Sequence, residues 1–276
     1  MKFKTIIFLV IYSLTTLKAF ADQPNKISII CSLFPVYDFA REVAGEFADV
    51  KLLLRPGVEP HEFEPSPMDI KALNDSQVFI FAGKYMEPWA KSLSASLTGV
   101  HIIDASHNIE LVNNDPHIWL DLTLAQRMVM NIAEELGKID SEHAEIFTSN
   151  AKIYCEKLSE LDEKFMTLDK NKTLVFAGEF AAGYFMRRYG FNYVSAYDGE
   201  NEPSVKRMAE ILSFINENQT RYIFAPPIKS AITHSISEQT GTKILTFNAA
   251  EMVTSDSSFL GVMQENYEAL EIALHE

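Results

Sequence analysis

Cysteine is scarce: the 276 residues contain only Cys31 and Cys155. Two thiols cannot form a disulfide framework or a cysteine-based zinc site. Neither lies in a turn-rich segment, so both are expected as buried thiols. Basic residues are also short, with 24 Lys+Arg against 38 Asp+Glu and a formal charge of -14. Such a surface repels phosphates, which excludes a general nucleic-acid binder. It concentrates cations instead, although salt screens the effect. Gly-x-Ser-x-Gly, His-Glu-x-x-His, Gly-x-x-x-x-Gly-Lys and Gly-x-Gly-x-x-Gly are all missing, so the common hydrolase, metalloprotease and nucleotide motifs are excluded. A 47% hydrophobic and 22% charged chain is neither disordered nor a polytopic membrane protein.

The one marked apolar run is at the N-terminus. Lys2 and Lys4 precede Ile6 to Leu17, and Ala19-Phe20-Ala21 is a small-x-small cleavage site before Asp22. The run is short for a membrane span and Lys18 ends it. Residues 1–21 therefore read as an export signal cleaved after Ala21, which predicts a periplasmic chain starting at Asp22. No Cys stands at the cleavage point, so a lipid anchor is not indicated.

Beyond the signal, short β-branched runs alternate with helical stretches. Ile27–Cys31, Val50–Leu54, Val78–Ala82 and His101–Ile103 read as strands; Val36–Ala44, Asp69–Leu73 and Pro88–Leu97 read as helical. The pattern recurs with strands at Thr173–Phe176, Tyr193–Ala196, Tyr222–Phe224 and Lys243–Phe247, and helices at Phe180–Tyr189, Ser204–Asn216, Ala231–Thr240 and Phe259–Leu274. Alternation predicts an α/β fold of two doubly wound, parallel-sheet lobes, at 22–140 and 170–276. Between them, at 141–169, Ala144, Phe147, Ala151, Tyr154, Leu158, Leu161, Phe165 and Leu168 form one stripe at helical spacing. This predicts a helix roughly 40 Å long that packs on both lobes and limits their opening.

Open parallel sheets bind ligands at the carboxyl ends of their strands. His61 follows the second strand and His117 the fourth. Glu179 follows the first strand of the second lobe, and Glu251 the last. Each alone has a bland explanation: an exposed loop histidine, a first-turn acid at a helix start for Glu179, a solvated loop acid for Glu251. Together, two histidines and two carboxylates at corresponding strand ends suit a cation in the cleft between the lobes. His107 is the one further histidine kept in reserve.

Three motifs then carry a resemblance: Pro56-Gly-Val-Glu-Pro-His61-Glu-Phe-Glu-Pro-Ser-Pro67, Asp115-Pro-His117-Ile-Trp119-Leu-Asp121, and Gly183-Tyr-Phe-Met-Arg-Arg-Tyr-Gly190 followed by Glu202-Pro-Ser204. The chain resembles the solute-binding proteins of zinc and manganese ABC importers over essentially its whole mature length. The resemblance implies two lobes joined by one long helix with a metal between them, and His61 and His117 as ligands. Glu179 stands where zinc-type members carry a third histidine, which is similar to the manganese- and iron-type members. Glu251 is the expected fourth ligand, with Asn248 in reserve. The implied function is capture of one divalent transition metal, manganese, zinc or iron, as transported ligand, by a monomer that delivers it to a membrane permease without catalysis. Two histidines disfavour calcium and magnesium, which prefer oxygen alone. A metal-dependent hydrolase and an adhesin-like surface protein are the alternatives.

Overall fold

The computed structural model describes residues 26–55, 58–197, 202–251 and 257–275. The expected signal and its cleavage site lie outside these residues. No helix among the described residues is long and apolar enough to cross a membrane.

The first lobe contains β1 (Ile27–Cys31), α1 (Phe34–Ala44), β2 (Ala48–Leu52), α2 (Pro67–Asn74), β3 (Val78–Phe81), α3 (Pro88–Ser94) and β4 (His101–Asp104). The second contains β5 (Leu174–Phe176), α6 (Gly183–Tyr189), β6 (Tyr193–Ser195), α7 (Val205–Glu217), β7 (Tyr222–Ala225), α8 (Ala231–Thr240), β8 (Lys243–Thr246) and α9 (Phe259–His275). Between them come α4 (Leu122–Ile139) and α5 (Ala144–Thr167). Each lobe has one four-stranded parallel sheet, in the orders β2-β1-β3-β4 and β6-β5-β7-β8. The two halves share one winding.

Alternation along the buried strands sends side chains to both sheet faces. Ile29, Cys31, Val78, Ile80 and Ile103 join one core, while Ile30, Phe79 and Phe81 join another. In the second sheet Leu174, Phe176 and Phe224 face the first of these cores, and Val175, Ala177 and Ile223 a third. The first core therefore runs unbroken from one lobe to the other.

α5 carries that continuity. Near its start Phe147 meets Phe47 edge-on; near its end Phe165 packs on Phe185, Tyr189 and Tyr267. Burying each such ring contributes about 1.5–3 kcal/mol. Two polar ties reinforce it. Tyr154 on α5 donates to the buried Asp38 carboxylate of α1 at 2.9 Å, and the Phe259 backbone N–H of α9 donates to the same oxygen at 2.9 Å. Asp162 accepts from Arg188 and from the Tyr189 hydroxyl, joining α5 to α6.

The structure departs from the sequence expectations in three places. α4 adds a second long helix, which pairs with α5. α6 starts at Gly183 rather than Phe180, because Phe180 stacks on Tyr193 with ring centroids 4.5 Å apart and packs on Phe176. Cys155 is half-buried, at the border of the α5 stripe; Cys31 is fully buried, and both thiols are free.

Candidate metal centre

The loops leaving the carboxyl ends of both sheets carry the candidate ligands. After β2 the chain turns at His61, where the Phe63 N–H donates to the Pro60 carbonyl at 3.4 Å, and then runs past Pro65 without regular structure. It becomes helical only at α2, where Ser66 and Asp69 form a capping box. His61 is thus presented from a turn, half-buried.

His117 is held more firmly. Asp115 Oδ1 accepts from the His117 backbone N–H at 3.1 Å and lies 2.8 Å from ring Nδ1. The ring is thereby oriented with Nε2 directed away from Asp115, the arrangement that prepares an imidazole for a metal. Trp119, fully buried, donates its indole N–H to the Ala249 carbonyl across the cleft at 2.8 Å. That bond anchors the loop that carries Glu251.

This loop follows β8. The Asn266 side chain of α9 brackets Asn248, accepting from its N–H and donating to its carbonyl, both at 2.8 Å. Asn248 Oδ1 accepts from the Ala250 N–H at 2.9 Å. Ala250 is held at φ 64°, a left-handed conformation unfavourable for a residue with a side chain. The surrounding bonds hold it there, and Glu251 comes next, 8% exposed.

His61, His117 and Glu251 converge, each offering one ligand atom within 4.8 Å of the others. The histidine rings are 5.4 Å apart at 66°. His117 Nε2 and Glu251 Oε1 approach to 2.8 Å, yet among the described residues neither has a partner with hydrogen-bond geometry. The two atoms form a close ion pair with no further partner among the described residues, and with His61 beside them they make a donor set that a cation can share. Electrostatics agree. Burial pulls His117 down, but Glu251 and Asp115 outweigh it and push its pKa up to about 10. The spot is built to hold positive charge.

Glu179 is not in that cluster. It lines a cavity of about 40 Å³ together with Glu251 and Asn248, walled by Phe176, Ala182 and Phe247. It stands four residues before the start of α6, so it is no first-turn helix acid. Asn248 uses its carbonyl oxygen within its own loop. His107 is exposed on the surface near Glu134 of α4, away from the cluster. A larger hollow of about 390 Å³, at the amino ends of β5 and β7, lies away from this cluster. The sequence reading missed the parts of Asp115 and Trp119. Its own quoted motif held the signal for Asp115, an aspartate two residues before a histidine.

Residues 29–273 match the family described as ZnuA, zinc-uptake complex component A, periplasmic. The chain belongs to this family. The family is one of uptake components, not of enzymes. A relative, the high-affinity zinc uptake system protein ZnuA of Bacillus subtilis, is 28% identical over 93% of this chain and 91% of its own length. The chain spans about 56% of the longer zinc-binding AdcA proteins of Streptococcus pyogenes. Among solved structures, the Zn(II)-bound ZnuA-like domain of Streptococcus pneumoniae AdcA superposes with a TM-score of 0.79 at 29% identity, covering 91% of this chain and 100% of that one. The laminin-binding protein Lmb of Streptococcus agalactiae, described as having adhesin and metal-transporting activity, gives 0.81 at 31% identity, covering 90% and 99%. The fold and family match the sequence expectations. Zinc is the metal these relatives name; manganese and iron gain no support from them.

Proposed function

We propose that the chain is exported, captures one zinc ion between its lobes and hands it to the permease of an ABC importer. The convergence of His61, His117 and Glu251 from opposite lobes carries the proposal. Glu179 completes the site as fourth ligand from the wall of the adjoining cavity. Two imidazoles and two carboxylates neutralise a dication and suit zinc, whose bonds to nitrogen and oxygen are close to 2.0–2.2 Å. Manganese binds more weakly at such N/O sites. Four protein ligands leave no position for an activated water, so the ion is cargo and not a catalyst.

Metal analysis of the intact secreted protein, purified without added metal, followed by competition titration, tests the proposal. One zinc per chain is expected, with binding severely weakened in His61→Ala and His117→Ala and a metal-free fold that is little changed. Parental zinc binding in both variants would overturn the site. Intact mass beginning at Asp22 checks export, and Glu251→Ala should weaken binding more than Asn248→Ala.

A further inference from the structure

The third sequence motif, Gly183 to Gly190, carries none of the candidate ligands, yet it becomes α6 and meets a ligand-bearing segment of the other lobe. Its contacts fall on both sides of His117. Five residues before the histidine, the Val112 N–H donates to the Tyr184 hydroxyl at 2.9 Å. Two residues before it, Asp115 lies so close to α6 that a Cβ on Gly183 would come within 2.5 Å of Oδ2. Four residues after it, Asp121 Oδ1 stands 3.7 Å from Arg188 Nε.

Tyr184 and Arg188 are four residues apart and so share one face of the helix. Both are themselves fixed. Tyr184 is buried, with the Arg187 guanidinium 4.5 Å from its ring centre. Arg188 donates to Asp162 of α5 through Nε at 3.1 Å. Phe185 and Tyr189 seat α6 on Phe165 of the same long helix. Asp121 also caps α4, accepting from the Thr123 N–H at 2.9 Å, so its carboxylate serves two helices. Three contacts from one short helix thus converge on the segment Val112 to Asp121, whose one candidate ligand is His117.

We infer that Tyr184 and Arg188 are positioning residues: they clamp the His117 segment of the first lobe onto the second and so hold His117 in place beside Glu251. The inference rests on the zinc site proposed above. Trp119 ties the same segment to the Glu251 loop through the Ala249 carbonyl, so the clamp and that loop share one frame. A ligand that is already held loses less conformational freedom when it binds the ion, and affinity gains accordingly.

The test uses Tyr184→Phe, which removes only the hydroxyl, and Asp121→Asn, which keeps a capping oxygen for α4 but loses the charge facing Arg188. The double variant joins them. Tyr197→Phe is the control, because its hydroxyl donates to Ser230 Oγ at 3.1 Å, elsewhere in the second lobe. Zinc affinity is measured by chelator competition and metal-free stability in urea. The geometry of the ligands is read from the visible absorption of Co(II) bound in place of zinc. Tyr184→Phe should weaken zinc about fivefold, Asp121→Asn about threefold and the pair by about fifteenfold or more. The Co(II) bands of the pair should shift or weaken. The control should keep the parental affinity and bands even if its stability falls. Zinc affinity within twofold of the parent and unchanged Co(II) bands in the double variant overturn the inference, and so does a loss fully explained by the unfolded fraction. If His61→Ala and His117→Ala also bind zinc like the parent, the site itself fails; if those two lose zinc while the double variant keeps it, only the clamp fails.

Discussion

Asp115 should control zinc affinity without touching the ion. Its Oδ1 meets the His117 backbone N–H at 3.1 Å and ring Nδ1 at 2.8 Å, in a setting where the two side chains are 12% and 20% exposed. Asp115→Ala removes both contacts and leaves the imidazole free to rotate or change tautomer. A hydrogen bond to a charged group contributes about 1.5–3 kcal/mol. Partial exposure places this one in the lower half of that range, which corresponds to roughly ten- to fiftyfold in affinity. Asp115→Asn can keep both acceptor contacts through its amide oxygen while losing the charge, so its loss should be smaller. Gly183 supplies an independent check. A Cβ built there would lie 2.5 Å from Asp115 Oδ2, so Gly183→Ala should displace the carboxylate and weaken zinc in the same direction. The assay is competition against a chromophoric zinc chelator at neutral pH, paired with the metal-free melting temperature. Binding by Asp115→Ala within threefold of the parent would falsify the orienting role. So would an affinity loss fully explained by a collapse of the metal-free fold.

Asp38→Ala should destabilise the metal-free protein by about 3 kcal/mol in urea, because two buried donors lose their acceptor; additivity with Tyr154→Phe would show that the tie is not real. Glu87 is 1% exposed; burial outweighs its bonds from Ser32, Ala82 and Gly83 and pushes its pKa from 4.5 up to about 7. Its contribution is fully present below pH 4.5 and lost as pH rises through about 7, a change of about 3 kcal/mol that urea midpoints from pH 5 to 8.5 should show and Glu87→Gln should flatten. Without metal, the neighbouring carboxylates push His117 up to about 10, so protons compete with zinc throughout the neutral range. Apparent affinity should fall about tenfold per pH unit on going from 9 to 7, and an affinity flat above pH 7 would show that no proton is displaced. Glu179→His should raise the zinc-to-manganese affinity ratio, since a third imidazole favours zinc while the lost charge weakens manganese; an unchanged ratio in paired titrations would mean that Glu179 does not ligate.

The parts legible in the sequence were those whose signal is local and repeated. Val78–Phe81 is a four-residue apolar run because a central parallel strand is buried on both faces. The α5 stripe was visible because its seam meets a core on every turn. α4 carries the same period through Leu122, Ala125, Met128, Val129, Ile132, Ala133 and Leu136, so it was within reach although unnamed. The start of α6 was not. Nothing local stops the helix at Phe180 and Ala181; the packing of Phe180 on Phe176 and on Tyr193, the latter distant in sequence, keeps them out of it. The same limit governs the site. His61 and His117 stand out because prolines and an adjacent aspartate hold their loops locally. Glu251 depends on Ala250 at positive φ, on Asn266 one helix later and on the Trp119 indole from the other lobe. No residue near Glu251 announces any of these contacts. A strand end shows where a ligand can come from. Which carboxylate arrives is decided by hydrogen bonds between lobes, and those exist only once the long helices have brought the lobes together.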